Sequence, residues 1–184
     1  MCGLLISLTA HSAELGIGAS VKSSDSSIYL PITVSPKFRI EPYLRYTDLD
    51  TESSSISTIS SESLAIGVGL FRLIKPAENI SIYYGGRVAY LSDETTFRPF
   101  AVPVPPIGFI QPVQFESRSE LDGYSIFPAA GFEYHFSEHL SIGVEVGWEY
   151  SKLDGTTSIT GSPIEGTKIE RNNTRANVIL RFFF

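Results

Sequence analysis

The sequence predicts an all-β fold, an eight-stranded antiparallel up-and-down transmembrane β-barrel. Three observations carry that expectation. Apolar residues recur at every second position from end to end of the 184-residue chain, which is the period of a strand and not of a helix. Tight connections alternate with long ones, as turns at one end of a barrel and loops at the other would. Aromatic side chains gather at both ends of the apolar stripes, where membrane interfaces select them.

In chain order, the apolar residues 3–10 lead into Ala10-His11-Ser12, the small-x-small spacing that signal peptidase accepts. Residues 1–12 therefore read as a partial signal peptide, without its basic start, and 13–184 as the barrel domain. The competing reading makes 1–12 part of the first strand, but the chain from Gly16 already supplies one. That first strand, 15–21, sets its apolar residues against Gly16, Gly18 and Ser20. The second, 28–34, contains Pro31, which removes a ladder donor and makes it the least regular of the set.

The third strand, 38–46, opposes Phe38 and Tyr46 to Arg39, Glu41, Tyr43 and Arg45, and the fourth, 64–70, opposes Leu64 and Leu70 to Ala65, Gly67 and Gly69. In the fifth, 80–90, Ile80, Ile82, Tyr84, Val88 and Tyr90 alternate with Ser81, Tyr83, Gly85, Arg87 and Ala89. The sixth, 124–136, sets Tyr124, Ile126, Phe132 and Phe136 against Ser125, Gly131, Glu133 and His135. The seventh, 140–150, is the cleanest: Leu140, Ile142, Val144, Val146, Trp148 and Tyr150 against Ser141, Gly143, Glu145, Gly147 and Glu149. The eighth places Ala176, Val178, Leu180, Phe182 and Phe184 on one face and Arg175, Asn177, Ile179, Arg181 and Phe183 on the other. Most of these stretches approach the 9 to 11 residues a tilted strand needs to cross a bilayer. Between them, 35–37, 75–79 and 137–139 read as tight turns, and 49–62, 92–123 and 152–173 as long loops.

Alternation alone does not say which face meets lipid. Glycine concentrates on the polar face, where it would weaken a solvated strand to no purpose but makes room inside a narrow barrel. The polar face also carries Glu14, Glu41, Glu133, Glu145 and Glu149 against Arg39, Arg45, Arg87, Arg175 and Arg181, five of each sign, which predicts a paired charge network in the lumen. Lipid is then expected on the Leu/Ile/Val/aromatic face. Arg72 breaks that parity, close enough to a turn for its stem to reach the interface. A net charge of -6 leaves no basic stripe for nucleic acid, and the single cysteine, Cys2, excludes an internal disulfide.

The terminal ANVILRFFF, the hairpin GFEYHFSEHLSIGVEVGWEY and the signal-like start together resemble the OmpA-like and OmpX-like outer-membrane β-barrel family. The resemblance spans nearly all of 13–184 but rests on pattern. It implies the bacterial outer membrane as location, and lipid and lipopolysaccharide as surroundings. It also implies that the barrel-assembly machinery reads the terminal Val178, Leu180, Phe182 and Phe184. It does not extend to the family's peptidoglycan-binding domain.

Three functions follow as expectations: a structural or surface-interaction barrel with a filled polar lumen, a small low-conductance pore through the Arg/Glu interior, or a lipid A-modifying enzyme. The third leans on His135, Ser137 and Glu138, whose adjacency in sequence does not establish a nucleophile–base contact. No cofactor is expected, and His11, His135 and His139 do not stand at metal-ligand spacing. The proline-rich, apolar segment 97–115 marks the 92–123 loop as the expected contact for a surface protein partner, unless it folds over the rim; the serine-rich 53–63 reads as a solvated tip.

Overall fold

The computed structural model describes residues 13–22, 25–53, 57–99, 116–159 and 162–184. These form β1 (Glu14–Lys22), β2 (Asp25–Tyr29), β3 (Ile32–Ser35), β4 (Phe38–Ser53), β5 (Ser57–Ala77), β6 (Ile80–Pro99), β7 (Ser117–His135), β8 (Leu140–Ile159) and β9 (Ser162–Phe183). Each strand from β4 to β9 pairs antiparallel with the next, and β1 closes the ring by pairing Gly16 with Phe183 and Ala19 with Leu180. The nine segments make eight staves, because β2 and β3 lie end to end between β1 and β4.

Pro31 is the cause of that break. It has no N–H to give the ladder, so the strand stops at Tyr29 and restarts at Ile32. The gap stays hydrogen-bonded, since Gly16 donates to the Pro31 carbonyl and Leu30 donates to the Pro42 carbonyl, both at 2.9 Å.

The side chains partition as their parity demands. Ile142, Val144, Val146 and Trp148 are exposed on the outer wall, whereas Ser141, Glu145 and Glu149 on the same strand are buried inside. Outward Phe182 and Phe184 pack edge to face at the short-turn end, as do Tyr134 and Phe136, while Trp148 stacks on Tyr150 at the other end. An apolar wall of this extent, bounded by two aromatic belts, is a surface built for a bilayer. Inside, Gly131 leaves the space that the Tyr83 ring fills: a Cβ there would lie 2.2 Å from it.

The connections differ from expectation. The tight turns fall where the sequence puts them, and Ser137 Oγ accepts from the backbone of His139 and Leu140 in one of them. Of the three predicted long loops, 49–62 and 152–173 are instead largely strand, and 92–123 is strand over 92–99 and 117–123 of its described residues. β4 and β5 pair from Phe38↔Arg72 out to Ser53↔Ser57, so the serine-rich stretch is a ladder and not a loose tip over its described residues. β6 and β7 pair out to Phe97↔Ser117, and β8 and β9 to Ile159↔Ser162, so these strands run 16 to 22 residues and not 9 to 11.

The physical reason is an inversion of the pattern. Above Tyr150 the parity of β8 continues but its chemistry flips: Leu153 points inward, fully buried, and Asp154 outward. Leu91 and Leu121 join Leu153 inside, with Ile169 packed against the cluster. Outside, Arg118 pairs with Glu94 and Glu120 at 2.9 Å, all three exposed. The extension is thus built like a soluble sheet, wet outside and apolar within. One irregularity marks it, a bulge at Gly155/Thr156 opposite Gly166, whose φ of 87° suits the residue that has no Cβ. Residues 1–12 and most of the proline-rich 97–115 lie outside the described residues.

Candidate functional site

Inward parity on five strands brings the predicted charges into two groups. The first is an alternating chain of six: Arg39 pairs with Glu133 at 2.8 Å, and Glu133 with Arg181 at 3.6 Å. Arg181 pairs with Glu41 at 3.0 Å, Glu41 with Arg87, and Arg87 with Glu145 at 2.9 Å. It crosses the interior from β4 through β7, β9 and β6 to β8. None of these side chains is more than 4% exposed, so each charge depends on its neighbours in place of water. Ser141 Oγ donates to the Glu133 oxygen that also faces Arg181.

Aromatic rings wrap the same arginines. The Arg87 guanidinium lies over Tyr29 and Phe71 at 4.8 Å and over Tyr43 at 5.2 Å; Arg181 lies over Tyr83 at 5.3 Å and Arg39 over Phe183 at 5.4 Å. A delocalised guanidinium can give its edge to carboxylates and its faces to rings, which an ammonium cannot.

The second group lies toward the hairpin end, where Glu149 is shared by Arg45 at 3.1 Å and Arg175 at 2.8 Å. Above it Arg171 pairs with Asp93 at 2.9 Å, and Ser63 donates to Asp93. Sequence reasoning misses this last pair, because 92–123 and 152–173 read as loops. Its signal is present in the inward parity that runs from Arg87 through Ala89 and Leu91 to Asp93. Glu14 belongs to neither group. It sits exposed at the start of β1, at the short-turn end, so the balance of five against five becomes five arginines against four glutamates.

His135, Ser137 and Glu138 do not converge. His135 Nε2 lies 3.1 Å from Ser81 Oγ, and the Ser137 hydroxyl is engaged with its own turn. Val178, Leu180, Phe182 and Phe184 all lie exposed on the outer wall of the closing stave.

An exterior apolar at one level and polar above it, around a ring of strands whose interior is crossed by ion pairs, defines a small transmembrane β-barrel of the bacterial outer-membrane kind. Solved structures share the fold. The chain is similar to a major outer membrane protein from Thermus thermophilus, with a TM-score of 0.56 and 8% identity over 95% of this chain and 100% of that one. It is also similar to CarO of Acinetobacter baumannii, with a TM-score of 0.50 and 13% identity over 94% and 96%. No protein-family model and no curated protein sequence matches the chain.

Proposed function

We propose that this protein is a structural or surface-interaction barrel of the outer membrane, in which a filled stem anchors three extended hairpins that form the contact surface. The observation that carries this reading is the six-residue ion-pair chain, which crosses the interior with its carboxylates at 0% exposure. Opening a water path there means separating charges that have no solvent to receive them, at about 3–5 kcal/mol for each pair broken. Lipid and lipopolysaccharide surround the outer wall in this reading. The assembly machinery engages the outward Val178, Leu180, Phe182 and Phe184, and a surface protein partner meets the 92–123 hairpin, whose flanks stand clear of the upper aromatic belt.

The test is planar-bilayer recording on refolded protein. A filled stem yields no discrete conductance steps, and steady steps that change in Arg87→Ala or Glu145→Ala overturn it in favour of a pore.

A further inference from the structure

Toward the hairpin end the interior opens into a cleft of about 390 Å³, with the Arg45, Glu149 and Arg175 group among its walls. That volume falls in the range of small-ligand pockets.

The charged groups that line the cleft are already engaged. Glu149 holds Arg45 and Arg175, and Asp93 holds Arg171 while accepting from Ser63. An ionic ligand would have to compete with those pairs. A neutral one would not, and three neutral polar groups stand ready for it. Thr47 of β4, Ser151 of β8 and Asn173 of β9 line the cleft, and their side chains have no hydrogen-bond partner among the described residues. Ser151 is only 6% exposed, so its hydroxyl depends on whatever the cleft contains.

An apolar group completes the set. Parity turns Leu49 inward, and it lines the cleft together with Leu91. Yet Leu49 is 48% exposed, whereas Leu91, Leu121 and Leu153 of the same extension are buried. A ligand with an apolar face would cover that leucine and remove its surface from water. Two hydroxyls and an amide beside an aliphatic patch match the chemistry of a sugar ring, whose rim carries hydroxyls and whose face carries C–H groups.

We propose that the cleft binds a neutral saccharide unit, with Thr47, Ser151 and Asn173 bonding its hydroxyls and Leu49 packing on its C–H face. This role goes beyond the contact surface proposed above, and it holds whether or not the stem conducts. The unit arrives either free from the medium or as part of the sugar chain of a lipopolysaccharide in the outer leaflet.

The probes are glucose, galactose and maltose, added to protein refolded in an amine-oxide detergent, which has no sugar headgroup to compete. Saturation-transfer NMR reads the contact. Irradiating the methyl region is expected to attenuate ring C–H signals of at least one probe above the level of empty micelles, saturably and with roughly millimolar affinity. Leu49→Ser and Asn173→Ala change exposed residues and are expected to fold, each weakening binding by about tenfold. No transfer above empty micelles for any of the three sugars overturns the proposal, as does transfer that both substitutions leave unchanged. Repeating the titration in vesicles separates the two sources of a confirmed site. If the membrane supplies the unit, lipopolysaccharide with its core sugars suppresses the free-sugar signal and a deep-rough form without them does not; equal signals assign the site to a free saccharide.

Discussion

The stem and the hairpin extension are made from the same strands, with the same side-chain parity, yet they are insulated in opposite senses. In the stem, Val144 faces out and Glu145 faces in; one belt higher, Asp154 faces out and Leu153 faces in. The solvent outside determines which arrangement is stable. Where hydrocarbon surrounds the wall, polar groups must find partners inside; where water does, the interior can be apolar and hydrophobic burial holds the sheet together.

The comparison is most exposed to Arg181→Ala. This change strips Glu41 and Glu133 of a shared partner in the stem and is expected to destabilise by about 3–5 kcal/mol, seen as a lower urea midpoint in the heat-modifiable gel shift. A cost below about 1 kcal/mol would mean that water reaches the stem interior. Leu153→Ala removes the fully buried leucine of the extension at about 3 kcal/mol, and the loss should be local. Hydrogen exchange then rises in 117–123 and 153–159, while the stem keeps its gel shift. Val144→Arg places a charge on the lipid face and costs about 2–4 kcal/mol. The same arginine at exposed Thr156, outside the extension, changes stability by under about 0.5 kcal/mol, and equal effects at the two sites would erase the boundary between the regions. Smallest among the stem changes, Gly131→Ala drives a methyl into the Tyr83 ring at about 1–3 kcal/mol.

The same inversion explains what the sequence could and could not reveal. The stem is legible because one face is apolar throughout, so 140–150 and 175–184 show their period without help. The extension reads as loop because its apolar positions change parity at Tyr150, and because the flanking runs of serine, threonine and acidic residues carry no hydrophobic period. Which charges face inward follows from parity, Glu14 apart, since a residue at the end of a stave can face inward and still reach water. Which charges meet does not follow: Arg181 and Glu41 are 140 residues apart, and only the closed register brings them together. The Pro31 break is visible as a warning, but not the two backbone bonds that mend it.

That long separation also bears on how the molecule is made. Arg181 is on the closing stave and Glu41 on the stave that begins at Phe38, so a sheet that has not yet closed leaves Glu41 with Arg87 and Arg181 with Glu133, but without each other. Each lacks one of its two buried partners until the other arrives. Insertion and circularisation are therefore coupled into one late, cooperative event, and the slowest step in biogenesis is expected to be the meeting of the chain's two ends.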